Sequence, residues 1–192
     1  IDEVGALIPQ VATSWEELNN KDWRFKLRND VKFHDGTPLT ARDVAYTINT
    51  ALTLPGSNRL SWPDFEKAEA VDPTTLEIKM KTRNVFVPQL MGSGWIISQT
   101  QIEKEGWDGF NKKPLGSGPW RWSEWVAWDR TVAEKVPQGH LYRKPAIDRL
   151  ELYDITTTET GIAALRTGSI DFSLNNFFPE QARDMEKRGI KV

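Results

Sequence analysis

Few residues in this chain are suited to chemistry. Four tryptophans, Trp120, Trp122, Trp125 and Trp128, fall within the stretch GSGPWRWSEWVAWDR of residues 116–130. Side by side they would form a stacking platform for a sugar ring, and Glu124 among them could be one carboxylate of a glycoside-cleaving pair. On an extended strand, however, Trp120 and Trp122 share one face, Trp125 lies on the other and Trp128 falls at a turn. Glu124 has no second carboxylate with a defined partner. Ser117, within Gly116-Ser117-Gly118-Pro119, lacks the G-x-S-x-G elbow of a serine hydrolase. The two histidines, His34 and His140, have no companion ligand at i+3 or i+4. Cysteine is absent, which removes disulfides, thiolate metal sites and a cysteine nucleophile. The expectation is a chain with no catalytic residue, no metal site and no cofactor.

Composition narrows the remaining classes. The chain has 192 residues, 39% apolar and 27% charged, as expected of a folded chain with one sizeable domain or two small ones. The net charge of −2 comes from scattered cations and acids without a basic stripe, which argues against a nucleic-acid partner. No apolar run approaches the roughly 18 residues of a membrane span. The opening residues, Ile1-Asp2-Glu3-Val4-Gly5, carry neither a charged nor an apolar leader region. The last ones, Gly189-Ile190-Lys191-Val192, read as the entry to a strand, so a piece of something longer is expected.

The elements can be placed from pattern. Trp23, Phe25 and Leu27 alternate with Arg24, Lys26 and Arg28, as on a half-buried strand. Residues 11–18 precede it through a polar turn over Asn19–Asp22, and a short strand, Val31–Phe33, leads into the Asp35-Gly36 turn. Thr40 and Asp43 form a helix start, with the Thr40 hydroxyl expected to accept a first-turn N–H. Val44, Ile48 and Leu52 supply the buried face, and Pro55-Gly56 end the helix. A hairpin is expected through Ala68–Val71, Asp72-Pro73 and Thr75–Met80. Short helices follow from Val85 to Leu90 and from Gln101 to Gly106. Beyond residue 116 the pattern predicts strands at 118–126, 131–136, 147–155 and 170–174. It also predicts helices at 158–167, with Thr158 as N-cap and Gly168 after its end, and at 179–188, started by Pro179. Strands alternating with helices indicate an α/β sheet.

Four separated blocks carry a family resemblance: residues 23–48, WRFKLRNDVKFHDGTPLTARDVAYTI; residues 114–120, PLGSGPW; residues 144–148, KPAID; and residues 164–171, ALRTGSID. In order and spacing the chain resembles the family 5 extracellular solute-binding proteins of ABC transporters, which include oligopeptide, dipeptide and nickel binders. Residues 136–143, VPQGHLYR, depart from the family's Asn-Pro-Asp-Tyr-Trp-like run.

The resemblance implies a mixed α+β chain of periplasmic-binding-protein-like class II fold, covering most of lobe I and lacking lobe II. It would divide into an additional α+β subdomain, residues 1–100, and a returning α/β part, residues 101–192, ending near the hinge. The implied function is capture of a small solute, first of all a peptide, between two lobes for delivery to an ABC permease in the membrane. An oligosaccharide or an opine-like conjugate is an alternative ligand. The implied location is the periplasm, or the cell surface through a lipid anchor. The competing readings are a carbohydrate-binding module or glycoside hydrolase fragment that uses its tryptophans, and the same fold serving as a sensory receptor. Expected ligand-contacting residues are Trp62 in an irregular loop, Trp95 after the Gly92–Gly94 break, and Asn175, Asn176 and Phe177. The last three follow a strand, at the end where open α/β sheets hold ligands.

Overall fold

The computed structural model describes residues 7–54, 62, 64–92, 94–137, 144–174 and 177–191. His140 and the rest of the divergent run from Gln138 to Arg143 therefore lie outside the described residues. The chain forms two compact units, one of residues 1–123 and 133–150 and the other of residues 124–132 and 151–192.

In the first unit, β1 (Ala12–Leu18) and β2 (Asp22–Leu27) form the expected antiparallel pair, with Trp15 opposite Phe25. Asn19 and Asn20 join them at φ 52° and 53°, and the Lys21 N–H closes the turn on the Leu18 carbonyl at 3.0 Å. Two successive positive φ values match the twist of the flanking strands, and asparagine tolerates them better than most residues. Strands β3 (Phe65–Asp72) and β4 (Thr75–Met80) make the second hairpin, and the sheet order is β1-β2-β4-β3. The apolar side of β2 faces inward as its alternation required, and Phe25 opposes Leu76 across the ladder.

Helix α1 (Ala41–Thr53) covers β3 and β4 with Val44, Ala45 and Ile48. Its Asn49 brackets the middle of edge strand β3. The side-chain amide donates to the Ala68 carbonyl at 2.9 Å, and its oxygen accepts the Ala68 N–H at 2.9 Å. Phe33, Leu39, Phe65, Ile78 and Val87 complete the core. The expected strand at Val31–Phe33 is reduced to one bridge, Lys32 to Pro38. Phe33 and Leu39 instead turn back on their own neighbours through the carbonyls of Thr37 and Val31.

Helix α2 (Val87–Met91) is followed by α3 (Gln99–Lys112), which runs past the expected end at Gly106. Gly106, at φ 67°, interrupts it without ending it, so α3 is two helical pieces joined at a kink.

A polar network fixes the sheet at β4. Asp22 is buried, accepting the Met80 N–H at 3.0 Å and the Lys79 ammonium at 3.3 Å. Burial works to raise its carboxyl, but the Met80 amide and the Lys79 charge outweigh that and hold it below the ordinary value. Asp72 is held at about 2 by the Thr75 hydroxyl and by the amide and hydroxyl of Thr74. Carboxylates depressed by folding stabilise the native state above their unfolded pKa and lose that contribution as pH falls through the folded one. The protein is therefore expected to lose stability as pH drops from the ordinary aspartate value of 3.8 towards about 2. Thermal melts across that window check it. Asp22→Asn should flatten the pH dependence while lowering the melting temperature at neutral pH.

The second sheet is three-stranded, in the order β5 (Trp120–Val126), β6 (Arg130–Lys135) and β7 (Arg149–Tyr153), and the division between units runs through these strands. In the second unit, α4 (Thr158–Thr167) is capped by Thr157, one residue before the expected Thr158, because the Thr157 hydroxyl accepts the Thr160 N–H at 3.3 Å. Gly168, at φ 71°, closes α4, and Pro179 opens α5 (Pro179–Lys187) as expected. An ion pair from Arg166 to Asp184 links the two helices, and Ile162 and Met185 are buried. The expected strand at residues 170–174 does not form. Leu174, at the end of that segment, is 84% exposed instead of buried in a sheet face.

Candidate functional site

Trp62 is 3% exposed. Its indole N–H donates to the Leu90 carbonyl at 3.2 Å, and its ring stacks on Phe65 at 5.7 Å and 9°. A Cβ at Gly94 would come within 2.7 Å of that ring, so only glycine lets the backbone at this position approach it. This expected ligand residue is thus a fixed wall, pinned on both sides. Trp95, its neighbour across Gly94, is 84% exposed.

Both tryptophans border one apolar cavity of about 430 Å³ in the first unit. Leu27 and Phe25 of β2, Val44 and Ile48 of α1, and Met91 and Ile96 of the connecting segment contribute to its lining. No described lining residue is charged. The described lining includes the polar side chains of Gln10, Thr47 and Gln89, and the Thr47 hydroxyl bonds on both sides. It donates to the Asp43 carbonyl at 2.8 Å and accepts the Ile97 N–H at 2.9 Å.

One buried carboxylate sets that wall. Asp43 Oδ2 accepts the Thr40 N–H and the Thr40 hydroxyl, each at 2.9 Å, while Oδ1 accepts the Gln99 N–H at 3.0 Å. The Thr40 hydroxyl therefore donates to Asp43, and a single carboxylate serves the N-terminal ends of both α1 and α3. A negative charge is favourable at both ends, where free N–H groups and the helix dipoles point. The Asp43-to-Gln99 and Thr47-to-Ile97 bonds together hold residues 96–99 against α1, with Ile96 in the cavity wall.

Phe177 belongs to the second unit, where it lines a separate cavity of about 570 Å³ with Leu165, Ile170, Phe172 and Met185. Asn175 and Asn176 lie outside the described residues. Of the five expected residues, then, Trp62 and Trp95 line one cavity of the first unit, and Phe177 lines a cavity of the second.

The other candidates have structural surroundings. Glu124 is exposed and ion-paired with Arg130 at 3.0 Å. His34 Nε2 donates to the Gly118 carbonyl at 2.9 Å, and the His34 backbone N–H donates to the Gly116 carbonyl at 2.8 Å. A Cβ on Gly116 would press on the imidazole at 3.1 Å. His34 thus clamps the strand entrance. Among the described residues no group of three His, Cys, Asp or Glu could hold a metal ion. Trp120 and Trp122 are half-buried, Trp125 is exposed, and Trp128 is 90% exposed at φ 62°.

Sequence reasoning missed the cavity itself, with Ile8, Met91 and Ile96. The signal available was the double glycine break at 92–94, which frees the backbone to pass close to a large ring.

Comparison with known proteins gives a consistent result. The profile of the bacterial extracellular solute-binding proteins, family 5 Middle, matches residues 6–192. A glutathione-binding protein GsiB from Pectobacterium atrosepticum is 34% identical over 94% of the chain and 36% of its own length. The periplasmic oligopeptide-binding protein OppA of Salmonella typhimurium is 26% identical over 97% of the chain and 38% of its own length. NikA from Brucella suis, solved with Fe(III)-EDTA, superposes with a TM-score of 0.78 at 27% identity, covering 98% of the chain and 39% of NikA. OppA from Burkholderia pseudomallei, at 24% identity and a TM-score of 0.82, shares the fold. The chain thus spans little more than a third of the length of these relatives.

Proposed function

The chain belongs to family 5 of the bacterial extracellular solute-binding proteins, and from that premise we propose that it is part of the solute-capturing component of an ABC importer. It forms most of one lobe, with residues 1–100 as the family's additional subdomain and residues 101–192 as the returning α/β part. The solute is held between two lobes and passed to a membrane permease from the periplasm. Closure needs no chemistry on the solute: a ligand that touches both lobes only in the closed form shifts the population towards it. A peptide is the preferred solute. The relatives named for oligopeptide and glutathione binding support that choice, and so does an uncharged apolar cavity beside Trp95.

The observation carrying the proposal is the family match over residues 6–192. The test is native mass spectrometry of gently purified protein from its natural host. A carried-over peptide mass, released on unfolding, is the expected result. A carried-over oligosaccharide or metal chelate would overturn the peptide assignment, and absence of saturable calorimetric binding to any solute class would overturn capture.

A further inference from the structure

The cavity behind Trp95 measures about 430 Å³. That falls within the range of small-molecule sites, about 300–1,000 Å³. Its walls are also fixed. Trp62 is held by the Leu90 carbonyl and the Phe65 ring, and the 96–99 segment is anchored by Thr47 and Asp43.

The lining decides what can enter. No described lining residue carries a charge, and the Thr47 hydroxyl already has a donor and an acceptor. An ammonium or carboxylate would lose its hydration there and gain no charged partner among the described lining residues, which is unfavourable. A neutral apolar group has no such loss and is favoured by every CH2 it removes from water. The exposed Trp95 ring and the Gln89 side chain line the same space, one offering a stacking face and the other an amide.

We propose that this cavity is a subsite for a neutral aromatic or branched aliphatic group of the captured solute, formed by the first unit alone. The inference rests on the solute-binding reading above and adds a preference within it: solutes with a bulky apolar group over small, wholly polar or charged ones.

The test uses the neutral fluorophore N-phenyl-1-naphthylamine as probe, with two cavity-filling variants, Ile96→Trp and Ala12→Leu, the latter at a lining position of β1. The second keeps the test valid if the bulkier change prevents folding, and a cooperative thermal melt identifies a folded variant. Saturable fluorescence enhancement is expected with the wild-type protein. The apparent Kd should rise at least tenfold in a folded filled variant. A tripeptide with a central phenylalanine should displace the probe, and one with a central lysine should not. Probe binding absent from the wild type, or unchanged by filling, overturns the subsite. Probe binding that filling abolishes while no peptide competes supports the cavity and overturns the peptide reading, so the two failures are distinct.

Discussion

Replacing Asp43 by alanine lowers the free energy of unfolding by about 3–4 kcal/mol, the largest expected loss for a single polar side chain here. The reason is that one carboxylate serves two helix starts. Its removal leaves the Thr40 and Gln99 N–H groups without acceptors in a part-buried site. Each loss resembles that of a helix cap, about 1 kcal/mol, increased by the penalty for leaving a buried donor unmet. Urea titration checks the figure, with an unchanged m-value showing that the native fold persists. Asp43→Asn should retain only part of the stability, since the amide nitrogen repels whichever N–H it faces. A loss below about 1 kcal/mol for alanine would mean that water or a neighbouring group replaces the carboxylate at both ends.

Half of this arrangement can be read from the sequence. Thr40 and Asp43 at N-cap spacing announce the start of α1, and the strict alternation over residues 23–28 announces β2, because both signals are local. The second half is not local. Gln99 lies 56 residues beyond Asp43, and no pattern records that its amide needs this carboxylate. The cavity escapes sequence reading for the same reason, since its wall combines separate stretches around residues 8–15, 25–27, 44–48 and 88–96. Residues 170–174 show the opposite failure. Ile170, Phe172 and Leu174 alternate with Asp171 and Ser173 as on a half-buried strand, but local alternation does not supply the neighbouring backbone that a sheet needs.

Trp62→Ala is the second large effect, an expected loss of about 3–5 kcal/mol. The ring is buried, stacked on Phe65 and hydrogen-bonded to Leu90, so the change removes apolar burial, an aromatic contact and a hydrogen bond together. Had Trp62 been only an exposed ligand contact, alanine would cost almost nothing in the absence of ligand. Gly94 allows a sharper test. Gly94→Ala alone should cost about 1–3 kcal/mol, because the new Cβ meets a ring that cannot move aside. In the Trp62→Ala background the same methyl enters vacated space and should be nearly neutral or slightly stabilising. The two changes are therefore non-additive by roughly the cost of Gly94→Ala itself. Additive losses in a double-mutant cycle by chemical denaturation would show that the ring and Gly94 do not constrain each other.

The Asn49 bracket gives the four-stranded sheet a direction of growth. An edge strand normally offers free amides and carbonyls to any passing strand. On β3 the Ala68 pair is already occupied by a side chain from α1, so another strand could pair there only by evicting Asn49. β1, at the opposite edge, has no such plug among its described contacts. Lineages that lengthen this sheet, or copies that exchange strands under stress, should therefore build outward from β1, leaving the β3 margin as the fixed border of the sheet.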